Sequence, residues 1–330
     1  MSINPYTPTT FSSPIVNPSV GGSGTPYPYV SPSEFQFAPT AVDTLNLVPG
    51  GTAQDQTQSL SDTLGRASAW ADRFLFGADP ASKGASLCAT LSIETVRTKV
   101  LNGELRLICS YRPIIQVNGV DIGASMSSLS TIGSAAAAAT RIGMRTIYVP
   151  MIGIPVRSGD TGTPNPIQSL GGHYTAVWSY VNGYPHTELA SDITSGTSSC
   201  TLLPTDGGTG LLGVIPGFTQ FTIVDGANTE QFTVATVNGT TVTSSAPFQF
   251  SHTLPTAPDF IPVTTLPKDV SLAVIYLATA IIKTQGDSGL VLAELTEPKS
   301  VSKFSGDEFS DVAIAMRLLQ PYRIHTKQKV

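Results

Sequence analysis

From Gln54 to Phe76, apolar residues fall at Leu60, Leu64, Ala67, Ala71 and Phe74/Leu75. This i, i+4, i+7 stripe predicts an amphipathic helix, and Gly77 stands where a left-handed glycine ends one. Trp70 lies off the stripe, on a face left for a second contact. The period then shortens to two. Thr95 to Leu101 and Glu104 to Cys109 read as strands joined at Asn102-Gly103, a dipeptide suited to a type I′ turn. Ile114 to Ile122 reads as another short strand pair, turning at Asn118-Gly119, and Thr146 to Met151 as one more strand. The alanines at 135–139, bounded by Gly133 and Gly143, fit either a helical turn or a loop.

Ser158 to Gly172 is rich in Pro and Gly and reads as a linker. Beyond it, Tyr174 to Val181, Gln220 to Val224, Glu230 to Val237 and Thr240 to Ser244 read as strands punctuated by Asn-Gly and Asp-Gly. Close strands with few helix formers predict a small sandwich or barrel. Helical pattern returns after Pro267 with Val270, Ala273/Val274, Leu277 and Ile281, and again over Asp307 to Leu319 before Pro321. The expected class is therefore α+β: a helical bundle formed by N- and C-terminal helices, with inserted β-hairpins and a small all-β sandwich or barrel module. Four segments follow: a proline-rich arm (1–32), a first body segment (33–172), the β module (173–265), and the C-terminal helices with a basic tail (266–330).

Composition narrows the function. Charged residues make up 12% of the 330 residues, about half the usual share. The 18 Lys and Arg against 23 acids give a net charge of −5, which argues against a dedicated nucleic-acid binder. The distribution is uneven: residues 1–65 and 158–267 hold no Lys or Arg. The three cysteines are widely spaced with no C-x-x-C, against a disulfide framework or a zinc knuckle. No secretory signal or membrane span is read. The first 32 residues hold seven prolines with Tyr6, Tyr27 and Tyr29, an extended arm whose tyrosines suit ordering against a neighbour.

Catalytic strings are few. Asp160-Thr161-Gly162-Thr163 matches the aspartic-protease pattern and Asp287-Ser288-Gly289 half-matches it, but neither follows the buried apolar strand such carboxylates require. Ser288 with His173, His186 or His252 lacks the setting of a serine-protease triad. His186-Thr187-Glu188 has no second ligand cluster nearby. No enzymatic activity, cofactor or metal is expected. Tyr174, Trp178, Tyr180 and Tyr184 offer an alternative, a virion surface or tail protein whose β module stacks on glycan, although core packing explains alternating aromatics better.

Several stretches together resemble the head-to-tail adaptor (connector) proteins of long-tailed double-stranded DNA bacteriophages. They are EFQFAPTAVDTLNLVPGG (34–51), RASAWADRFL (66–75), LPKDVSLAVIYLATAIIKTQG (266–286) and DVAIAMRLLQPYR (311–323). The β segment, with YVNGYP and IVDGANTEQFTVATVNGTTVT, is similar to a module recurring in that group. The resemblance implies a structural virion protein, assembled in the host cytoplasm as a dodecameric ring. It would sit between the portal and a stopper or tail-terminator protein, passing double-stranded DNA without sequence specificity. It also implies that the C-terminal segment engages the portal, which places docking residues at Tyr322, Arg323, His325, Lys327 and Lys329.

Overall fold

The computed structural model describes residues 28–76, 86–151, 173–284 and 310–323. The chain divides into two compact units: Ala89–Gly183 forms one, and the described residues up to Cys88 with those from Tyr184 onward form the other.

The first unit is built on a seven-stranded antiparallel sheet in the order β4-β3-β7-β1-β2-β6-β5. Its strands are β1 (Thr90–Leu101), β2 (Glu104–Ile108), β3 (Ile114–Gly123), β4 (Ser130–Thr131), β5 (Arg141–Ile142), β6 (Thr146–Pro150) and β7 (His173–Asn182). Asn102 and Gly103 close the β1–β2 hairpin with φ of 54° and 76°, the pair of positive values a type I′ turn demands. Asn118-Gly119 does something else. The chain runs straight on through β3, with a register shift between Val117 and Gly119 that makes a bulge against β7. The expected second hairpin is thus one bulged strand. Leu105, Leu107, Val117, Val120, Ile147, Val149, Trp178 and Tyr180 bury one face of the sheet. The alanine run forms the short helix α3 (Ser134–Ala138) beside it.

The second unit contains a six-stranded antiparallel sheet ordered β8-β13-β10-β11-β12-β9. Its strands are β8 (His186–Glu188), β9 (Ser199–Thr201), β10 (Gln220–Ile223), β11 (Glu230–Asn238), β12 (Thr241–Ser244) and β13 (Pro262–Thr264). Phe232 lies at its core between Phe221 and Phe248, with ring centroids 5.7 and 5.2 Å away. The same unit holds α1 (Pro32–Phe37), α2 (Ala53–Phe76), α4 (Lys268–Thr284) and α5 (Asp311–Leu319). α4 packs against both α2 and α5. The α2 stripe Leu60, Leu64, Ala67, Ala71 and Leu75 is buried as its spacing requires, and so are Val270, Ala273, Val274, Leu277 and Ile281 of α4.

Two expectations are corrected. The described residues form mostly two curled antiparallel sheets, half-barrels with few helices, and not a helical bundle formed by N- and C-terminal helices with β material inserted. The strands outgrow their sequence signature because β1 is partly exposed along its whole length and so shows no clean alternation. The β material beyond 184 is one curled sheet and not a sandwich, while Tyr174–Val181 belongs to the first sheet, where β7 pairs with β1 and β3.

Candidate assembly site

The C-terminal end of the described chain is held by aromatic contacts. Ser310 caps α5 by accepting from the Ala313 N–H, and Pro321 lies in the 3-10 turn Gln320–Tyr322 that ends the helix. The Tyr322 ring meets Tyr184 edge-on, centroids 6.5 Å apart. Its hydroxyl is held above the usual tyrosine range by burial first and by the nearby charge of Asp269 second. Arg323 then lays its guanidinium over Phe74, 5.0 Å from the ring centroid. Phe74 in turn stacks on Trp70 one turn earlier in α2, at 5.6 Å and 5° between planes. Trp70, off the buried stripe, thus stacks on the same ring that Arg323 covers.

The N-terminal end is held by the other side of the same helix. Tyr29 is 1% exposed. Its N–H donates to Ser68 Oγ at 3.0 Å and its hydroxyl donates to Asp72, with Ser86 Oγ 2.8 Å away. The Leu87 N–H reaches Asp72 Oδ1 at 3.1 Å. Burial pushes the Asp72 carboxyl up to about 7, against the hydrogen bonds from Tyr29 and Leu87. His186 stands edge-on to Tyr29 at 5.8 Å, with Nε2 donating to the Pro28 carbonyl at 3.1 Å. Burial pushes that imidazole down to about 4, and Nδ1 has no hydrogen-bond partner among the described residues. Ser68, Asp72 and Phe74 lie within about two turns of α2, so both ends of the described chain meet that helix locally.

Of the five docking residues read from the sequence, Tyr322 and Arg323 are placed together at this anchor; His325, Lys327 and Lys329 lie outside the described residues. Asp160, Asp287 and Ser288 lie outside them too. His252 is buried between Asp225 and Glu230, with Nδ1 2.8 Å and Nε2 2.9 Å from their carboxylates. Cys109 and Cys200 are buried free thiols raised to about 12 by desolvation, and Cys88 is raised likewise. Among the described residues no group of three or more His, Cys, Asp or Glu is placed to hold a metal ion. Trp178 and Tyr180 are core residues of the first sheet, and Tyr184 meets Tyr322 edge-on.

No family model, curated protein or solved structure matches the chain. What the sequence missed is the Tyr29–Asp72–Ser86 cluster. Its only signal was a tyrosine at the edge of a proline-rich stretch and an aspartate off the polar face of a helix, and neither announces a partner 43 residues away.

Proposed function

We propose that this chain is a structural virion protein, a head-to-tail adaptor that forms a dodecameric ring joining the portal to a stopper or tail-terminator protein around the DNA path. The observation that carries the reading is the aromatic anchor of Arg323 on Phe74. The basic segment with His325, Lys327 and Lys329 starts from a fixed point on the folded body, which lowers the ordering entropy of docking that segment into a partner. The resemblance of residues 34–51, 66–75, 266–286 and 311–323 to adaptor proteins supports the same reading, since those stretches contribute α1, α2, α4 and α5.

The test is particle assembly with a chain ending at Arg323. The proposal expects this truncation to fold with an unchanged thermal midpoint and to be missing from purified particles. Normal incorporation of the truncated chain contradicts it.

A further inference from the structure

The described residues of the first unit hold six Lys and Arg and three acids, and the sheet gathers four of those cations on one face. Leu105, Leu107, Ile147, Val149 and, in part, Val100 pack into the core. Side chains alternate along a strand, so Arg97 and Lys99 of β1, Arg106 of β2 and Tyr148 of β6 lie on the outer face. The register sets Arg106 opposite Tyr148, and Tyr148 opposite Arg141 of the edge strand β5. β6 runs between β2 and β5, so a guanidinium flanks the Tyr148 ring from each neighbouring strand, Arg106 at 5.9 Å and Arg141 at 5.3 Å from its centroid. From Arg141 to Lys99 the face crosses four strands, about 14 Å at about 4.8 Å per spacing. All four cations are exposed. Of the three acids only Glu104 belongs to this group, where it pairs with Arg141. Glu94 is engaged by the Tyr180 hydroxyl and the Ser110 N–H, and Asp121 stands on β3, beyond β7, accepting from Thr131.

We infer that this face is the surface on which the chain meets double-stranded DNA, through phosphates and without reading base sequence. Charge complementarity carries the assignment. The duplex presents a negative charge about every 1.7 Å of its axis, so a rigid face of this width meets several phosphates at once. Three of the four cations are arginines, whose planar forks match phosphate oxygens. Single strands are gripped by aromatic rings offered to their bases, and the Tyr148 ring is already flanked by Arg106 and Arg141. What the face offers is therefore backbone contact, which suits a duplex. The net charge of −5 belongs to the whole chain. At physiological salt fields decay over about 8 Å, so the face acts by its own charges. The assignment rests on the reading of a ring around a DNA path and adds to it the side chains that touch the duplex.

The experiment is fluorescence anisotropy of a labelled mixed-sequence duplex titrated with the full chain between about 50 and 200 mM salt. Wild type is expected to bind, with log K falling against log salt at a slope of about −3 or steeper, and to bind a duplex of unrelated sequence equally well. Lys99→Glu/Arg106→Glu should weaken binding at least about tenfold at the lowest salt and flatten the slope by about two. Arg97→Gln/Lys99→Gln leaves both flanks of Tyr148 in place and should flatten the slope by about two as well. Arg66→Glu/Arg73→Glu makes the same charge change as the first variant on exposed cations of α2 and should leave the slope as in wild type. A wild type that does not bind at the lowest salt overturns the assignment, and so do face variants that bind no more weakly than the α2 variant. Displacement of the duplex by polyglutamate as readily as by unlabelled DNA also overturns it and marks the face as one for an acidic protein. Each of these failures leaves the ring reading standing, to be judged on particles. DNA binding that follows the face, with the chain absent from particle necks, overturns the ring and not this surface.

Discussion

The guanidinium of Arg323 lies 5.0 Å from the centroid of the Phe74 ring, joining the last described residue of the chain to the last turn of α2. That pair and the Tyr322–Tyr184 contact fix where the basic tail leaves the body. Phe74→Ala removes the cation's platform together with the stack on Trp70. We expect it to lower unfolding free energy by about 1–2 kcal/mol, the sum of a cation–π and an aromatic pair contribution. It should also reduce attachment to portals without blocking folding, measured by urea titration and by particle incorporation. Wild-type attachment in Phe74→Ala would separate the anchor from docking.

The Asp72 carboxyl, raised by burial to about 7, makes stability depend on pH with a definite sign. An unfolded aspartate ionises near about 4. Between about 4 and 7 the unfolded chain therefore gives up a proton the folded chain keeps, and stability falls as pH rises through that window. Glu34 and Glu188, also raised to about 7 by burial, act in the same direction. The thermal midpoint should be higher at pH 5 than at pH 8, and Asp72→Asn should flatten the difference by on the order of 2 kcal/mol. Equal pH slopes in the two proteins would show that Asp72 does not titrate across this range.

His252 has a carboxylate on each ring nitrogen and no exposed side-chain surface. Burial works against the Glu230 charge, but the Gln249 and Phe250 N–H groups and His252 outweigh it and hold the carboxyl below its usual range. Removing the imidazole leaves Glu230 buried without that partner. His252→Ala is expected to cost about 1.5–3 kcal/mol, as lost hydrogen bonds to carboxylates do, and Asp225→Asn less because Asp225 is 30% exposed. A loss under about 1 kcal/mol for His252→Ala in denaturant unfolding would contradict the pairing.

At Gly123, the last residue of β3, an added Cβ would stand 2.3 Å from the Ser128 carbonyl oxygen. Gly123→Ala must displace the backbone of the 125–128 turn, at about 1–3 kcal/mol. Differential scanning calorimetry should show a lowered midpoint; an unchanged one would mean that the turn shifts freely.

What could be read in advance followed from local rules. The α2 stripe and the positive φ at Asn102 and Gly103 depend only on neighbours in the chain, and both were legible. Asn118-Gly119 has the same composition as a turn but lies opposite β7, and pairing with Tyr180 and Ser179 on either side of the bulge keeps β3 extended. That partner is about sixty residues further on, so no local pattern reveals it. β7 was misplaced for the same reason: its aromatic alternation shows a strand, whereas its membership of the first sheet is set by Thr90–Lys99. In the candidate site, Tyr322 and Arg323 were marked by the basic character of the segment that follows them. Their contacts with Tyr184 and Phe74 join residues far apart in sequence, beyond the reach of spacing arguments.

Electron microscopy of the neck of intact particles tests the central claim most directly. The account predicts a closed ring of this chain between head vertex and tail, with the segment after Arg323 reaching into the portal. Particles whose neck lacks the chain, or hold it only as isolated subunits, would contradict it.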